Sequence, residues 1–167
     1  MNKKLVQLLA IVAVALYLVP TGAHLFELPH KMALSPADYM TVQQVYAAWD
    51  LFGIAIAIAV ALLTTMANTI LVRTVRRAFA GLMAAFLALA ATQGVFWAFT
   101  YPVNVASQRW TVSPEPFEAA RRQWEHSHAA SAVLTFVALV ALVLSSLTYQ
   151  AEENRRRAAG CSAISKE

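Results

Sequence analysis

Ala129-Ala-Ser-Ala-Val-Leu-Thr-Phe-Val-Ala-Leu-Val-Ala-Leu-Val-Leu-Ser-Ser-Leu-Thr-Tyr149 contains no charged residue, no glycine and no proline. At ~1.5 Å per residue, a helix over this stretch is about 30 Å long, which matches the hydrocarbon core of a bilayer. Three more mainly apolar blocks precede it, at residues 5–28, 51–72 and 78–99. Each is near the ~20 residues that a spanning helix needs. The expected fold is therefore all-α: a four-transmembrane-helix bundle with short interfacial helical segments on the outer side. Residues 1–150 would form the four-span membrane domain and residues 151–167 a polar cytoplasmic tail.

Composition agrees. The chain has 167 residues, of which 59% are hydrophobic and 13% charged, against about 25% charged in soluble domains. Such hydrophobicity excludes a soluble nucleic-acid module. The net charge of +4 matters less than its placement. Lys3 and Lys4 precede the first block, Arg73, Arg76 and Arg77 fill the link between the second and third, and Arg155, Arg156 and Arg157 follow the fourth. If every block spans, all three clusters fall on one side. Lys and Arg concentrate in cytoplasmic loops, so both termini read as cytoplasmic, in a bacterial-type inner membrane. The lone cysteine, Cys161, has no partner in the chain and reads as a reduced thiol in the tail.

The first block also has signal-peptide features: a Lys3-Lys4 start, an apolar run and Thr21-Gly22-Ala23. Apolarity resumes at Leu25-Phe26 and Leu28, which favours an uncleaved span. Pro20 falls late in that helix, and Pro29 argues against a regular helix through His30. In the first outer segment, Ser35-Pro36-Ala37-Asp38 has the form of a helix start, with Ser35 as N-cap. Val42, Val45, Tyr46 and Trp49 follow at helical spacing. Small residues recur every four positions at Gly53, Ala57 and Ala61 and at Ala80, Ala84 and Ala88, a spacing that lets helix backbones approach closely in lipid. Such faces also admit a homo-oligomer. The second outer segment, with Pro102, Pro114 and Pro116, should start irregular and turn helical from Phe117. The tail beyond Gln150 should fray.

The candidate chemistry lies at the outer end. His24, Glu27 and His30 close the first block, and Glu125, His126 and His128 open the fourth. Asp50, Gln93, Asn104 and Arg109 fall on the same side. Ionisable groups within a bundle are costly and mark function, and imidazoles and carboxylates can ligate Zn, Cu or Fe. Alternatively, groups near helix ends simply reach water. No spacing matches a named metal motif such as H-E-x-x-H, so cofactor and metal stay open. The solvent-facing reading is favoured for His30 and His126, whereas His24 and His128 fall where a helix should already be packed. Asp50 suits the positive end of a helix dipole. Trp97, Trp110, Trp124 and Tyr101 read first as an interfacial aromatic belt, and second as the lining of a pocket for a flat aromatic ligand. Arg121 and Arg122 should face water. No P-loop, G-x-G-x-x-G, G-x-S-x-G or C-x-x-C is present.

The stretch Tyr101-Pro102-Val103-Asn104, followed by Arg109-Trp110 and by Arg121-Arg122-Gln123-Trp124-Glu125-His126-Ser127-His128, resembles the DUF1772 family of small membrane proteins, which is associated with the fungal anthrone oxygenases. Pro102-Val-Asn104 matches the family's P-x-N step and Trp124-x-x-x-His128 its W-x-x-x-H step; Ser131 stands where the family often has arginine. The resemblance implies a four-helix membrane bundle and, for some members, oxygenation of activated phenols, with Asn104, Trp124 and His128 in the shared site. The combined expectation is an outward-facing site, with His24, His128 and Asn104 in catalytic roles and Glu27, Trp124, Trp110 and Arg109 binding an aromatic or phenolic small molecule. The other reading is a non-enzymatic membrane module that binds a lipid, a metal or a partner helix.

Overall fold

The computed structural model describes residues 3–46, 49 and 55–164, with side chains to residue 159. Among these residues the chain forms helices and no strand: α1 (Lys3–Ala33), α2 (Pro36–Gln43), α3 (Ala55–Leu71), α4 (Arg76–Val95), α5 (Tyr101–Ala106) and α6 (Phe117–Ile164). Three continuous helical stretches are long and apolar enough to cross a membrane: Lys3–Ala33, Arg76–Ala106 and Phe117–Ala159. α3, the remaining apolar helix, has 17 residues, or about 26 Å, somewhat short of the ~30 Å hydrocarbon core. Asp50 and Gly53 lie outside the described residues.

α1 packs against α3 and α6, and α4 packs against the same two helices. α1 and α6 run antiparallel. At one end Lys3 donates to Tyr149 at 2.7 Å, and at the other Lys31 meets Glu125 at 2.8 Å. The core between them is built from small and medium side chains at helical spacing. Ala10, Ala13, Val14 and Tyr17 come from α1, and Ala78, Leu82, Ala85 and Leu89 from α4. Ile58 and Ala61 come from α3, and Ala138, Leu142 and Tyr149 from α6. Of the expected small-residue faces, Ala61 is buried, but Ala80 and Ala84 are exposed. The close approach on α4 is instead at Gly81, where a Cβ atom would overlap Ser145 Oγ.

The polarity of the surface is inverted relative to a soluble bundle. Phe26, Leu63, Val19 and Leu16 are 60–82% exposed, while Thr65, Asn68, Thr92 and Thr135 are fully buried. Water does not favour that arrangement, whereas hydrocarbon does, because lipid tails solvate apolar side chains and leave polar ones to seek partners inside. Long apolar helices with outward apolar faces are compatible with an integral membrane protein.

The structure departs from the sequence expectations at three places. α1 continues through Pro29 to Ala33, with the Lys31–Glu125 pair anchoring its last turn. Pro102 does not break the third long helix. The stretch Phe96–Thr100 is a π-helical turn, and Tyr101 N–H bonds back to Phe96 O, five residues earlier. The extra residue absorbs the hydrogen bond and the space that proline denies a regular α-helix. Finally, the polar tail is helical through Ile164. Glu152–Arg156 and Glu153–Arg157 pairs at i,i+4, with the acid N-terminal to the base, support it. α6 thus has 48 residues, about 72 Å, and projects beyond the apolar block at both ends.

Candidate functional site

At the end of the bundle remote from Lys3 and Tyr149, three helices present one face each. Tyr17, Thr21 and His24 follow one another at i, i+4 and i+7 on α1, as do Trp124, His128 and Ser131 on α6. The π-turn sets Phe96 and Thr100 on the same line as Asn104. Together with Gln43, Tyr46, Trp49, Arg109 and Trp110, these residues enclose a cavity of about 100 Å³.

His24 and His128 meet across α1 and α6. Their ring centroids are 4.4 Å apart with 32° between the planes. Trp124 packs against both, at 4.1 Å from His128 and 5.0 Å from His24, and Tyr46 covers His24 at 4.6 Å. His24 is 3% exposed. Its Nδ1 and the Nε2 of His128 are buried without a hydrogen-bond partner among the described residues, as are Trp110 Nε1 and Gln43 Oε1. Four lining residues therefore carry unused hydrogen-bonding capacity, and unpaired buried polar groups are rare in native proteins. Trp124 Nε1 donates to Asn104 Oδ1 at 2.8 Å, which leaves the Asn104 amide N–H groups as donors.

Behind the cavity wall lies a second polar layer, of which the sequence singles out Glu125 but not Lys31, Tyr39 or Gln43. Glu125, fully buried, accepts from Tyr39 OH at 2.8 Å and from Gln43 Nε2 at 3.2 Å, and pairs with Lys31 at 2.8 Å. Lys31 Nζ also sits over the rings of Tyr46 at 4.6 Å and Trp124 at 4.9 Å. Burial first, and the Glu125 charge second, hold the Tyr39 phenol well above its ordinary range. Burial and the hydrogen bond that Tyr46 donates to Glu27 do the same to Tyr46. Lys31 had a signal in the sequence. It lies seven residues after His24 and four after Glu27, on the packed face of α1. Nothing local, however, named Glu125 as its partner.

The loop after α5 is strained. Gln108, Arg109 and Trp110 have φ of 47°, 58° and 63°, the left-handed region that non-glycine residues rarely occupy. Trp110 N–H bonds to Ser107 Oγ at 3.0 Å, Arg109 N–H to Asn104 O at 2.8 Å, and Gln44 Nε2 to Trp110 O at 2.7 Å. These bonds and the buried Trp110 ring hold the turn and set Arg109 and Trp110 against the cavity.

Of the seven site residues expected from sequence, six line this cavity: His24, His128, Asn104, Trp124, Trp110 and Arg109. Glu27 does not; it engages Tyr46 and lies 4.0 Å from Lys31. Trp110 and Trp124, 3% and 5% exposed, are packed residues and not belt residues, because they form one cluster with Tyr39 of α2, Val103 of α5 and Phe117 of α6. Trp97 and Tyr101 remain exposed and contact each other at 4.9 Å. Arg121 does not face water. It is buried, donates to Leu34 O at 2.8 Å and pairs with Glu118 at 2.7 Å. His30 and His126 are exposed. No cluster of three His, Cys, Asp or Glu residues suited to a metal occurs among the described residues.

Comparison with family models, with curated proteins and with solved structures gave no match.

Proposed function

We propose that this chain is a four-span integral membrane protein of DUF1772 type, with both termini cytoplasmic, that binds an aromatic or phenolic small molecule at its outer end and acts on it as an oxygenase-like enzyme. Residues 1–150 form the membrane domain and residues 151–167 the cytoplasmic tail. α3 supplies the fourth span. The observation that carries the functional reading is the His24–His128 pair, with two buried imidazole nitrogens unpartnered among the described residues at an aromatic-walled cavity.

In this reading His128 or His24 takes a proton from a phenol or an acidic C–H group, which is the task of a positioned general base. Asn104, held by Trp124, donates its amide N–H to the substrate oxygen. Trp124, Trp110 and Arg109 hold the ligand, and Glu27 acts at one remove through Tyr46. The cavity volume of about 100 Å³ limits the ligand. A dry cavity of ~150 Å³ holds benzene, and drug-sized ligands occupy ~300–1,000 Å³. The ligand is therefore a single ring, or a larger phenol that inserts only one end.

The test is purified protein in detergent, assayed for bound metal and for oxygen consumption with single-ring and anthrone-like phenols. Oxygen uptake that depends on His128 supports the enzyme. Saturable phenol binding without oxygen uptake would leave a non-enzymatic binding module. Absence of both removes the reading.

A further inference from the structure

The inner end carries a second cavity, larger than the outer one and of opposite character. It measures about 430 Å³ and is walled on one side by Thr74, Arg76 and Arg77, and on the other by Thr148, Arg155 and Arg156 of α6. Glu152 is its one carboxylate, and Arg156 takes it at 3.2 Å. Arg76, Arg77 and Arg155 are exposed and make no ion pair among the described residues. The neighbouring cavity that shares Thr74, Val75 and Arg156 differs. There Glu153 lies within 4.0 Å of both Lys3 and Arg157, so each of these two cations has a carboxylate beside it.

A topology signal needs positive charge on one side of the membrane; it does not need two sequence-distant arginine clusters around one cavity. Gathering three uncompensated guanidinium groups raises their mutual repulsion, which a bound anion relieves. Guanidinium groups match phosphate oxygens in a bidentate fashion. α4 begins at Arg76, so the positive end of its dipole adds to the same field.

We propose that this inner cavity binds a phosphate-bearing anion, and that its source is the headgroup of an anionic phospholipid. The choice of lipid over free phosphate rests on the membrane reading above, which puts the cavity at the inner membrane edge. Basic pockets between helices at that level suit anionic headgroups, and each arginine contributes about 1 kcal/mol, or roughly fivefold in affinity.

The test uses the full chain in mild detergent, with thermal stability and native mass spectrometry as readouts. Phosphatidylglycerol, phosphatidylcholine and inorganic phosphate are titrated separately. Phosphatidylglycerol should raise the melting temperature and remain bound, phosphatidylcholine should do neither, and inorganic phosphate should act only weakly. Arg76→Gln or Arg155→Gln, on opposite walls, should each weaken phosphatidylglycerol binding about fivefold. Arg73→Gln removes the same charge outside the cavity and should change it little. Equal effects of the two lipids, or of Arg73→Gln and Arg76→Gln, would overturn the site in favour of diffuse surface attraction. Equal stabilisation by inorganic phosphate and phosphatidylglycerol would overturn the lipid assignment. Should Arg76→Gln fail to fold, Arg155→Gln gives the same reading from the other wall. These outcomes are independent of phenol binding at the outer end.

Discussion

Lys31 Nζ lies 2.8 Å from Glu125 Oε1, with the two side chains 4% and 0% exposed, and this ion pair ties the end of α1 to the start of α6 directly behind the paired histidines. A buried pair that loses one member leaves an uncompensated charge, typically at a cost of ~3–5 kcal/mol. Lys31→Met should therefore destabilise the protein by about that much in denaturant or thermal unfolding in detergent. Lys31→Met/Glu125→Leu should recover most of the loss, because the charge that was stranded is gone. A double variant as unstable as the single one would show that Glu125 is held by Tyr39 and Gln43 and not by the cation.

The histidine pair makes a functional prediction. His128→Ala should abolish phenol binding or turnover, or reduce it at least tenfold, and His24→Ala should do the same. His30→Ala should leave most of it, since His30 is exposed and outside the cavity. The check is a binding isotherm with each purified variant. Retention of affinity in both His24→Ala and His128→Ala would move the ligand elsewhere.

Packing can be tested at Gly81. Gly81→Ala should destabilise by about 1 kcal/mol, because the new methyl group displaces Ser145 Oγ from its 2.6 Å bond to Ala141 O. Gly81→Ala/Ser145→Ala removes the clash and keeps the better helix former, so its melting temperature should return to that of the parent or exceed it. Gly81→Leu should cost ~1–3 kcal/mol or more through overpacking.

Alkaline pH should expose Tyr39. Its folded-state pKa is raised above the ordinary 10.0 by burial and by Glu125. Above pH 10 the unfolded chain releases the phenolic proton and the folded chain keeps it. The unfolded state then binds fewer protons, and stability falls as pH rises, by up to ~1.4 kcal/mol per pH unit for one group. Tyr46, shifted in the same direction but half-exposed, adds a smaller step that solvent screening reduces. Tyr39→Phe should remove one of the two, seen as a shallower decline in unfolding free energy between pH 10 and 11.5.

Topology is testable at Cys161, the single cysteine. A membrane-impermeant thiol reagent should label it only after cells are opened. Labelling in intact cells would invert the assignment of inner and outer ends, and with it the compartment that each cavity faces.

Composition and hydropathy alone determined the all-helical class, the long apolar helices and the ends at which charge and histidine collect. These follow from the one-dimensional pattern, because helix length is set by rise per residue and lipid tolerates little charge along it. The Ser35 cap and the helix start at Phe117 were legible for the same local reason. The site was legible as a set of residues at one level but not as a cavity. That His24 faces His128, that Glu125 faces Lys31, and that Trp110, Trp124 and Arg121 turn inward depends on how each helix is rotated about its axis. Contacts between helices far apart in the sequence set that rotation. Proline misled at Pro29 and Pro102 because its local cost is fixed whereas the surrounding packing is not: a buried ion pair carries α1 past the first, and a π-turn absorbs the second. The gathering of Arg76, Arg77 and Arg155 around one cavity is likewise tertiary, since only the antiparallel packing of α4 on α6 brings the two clusters together.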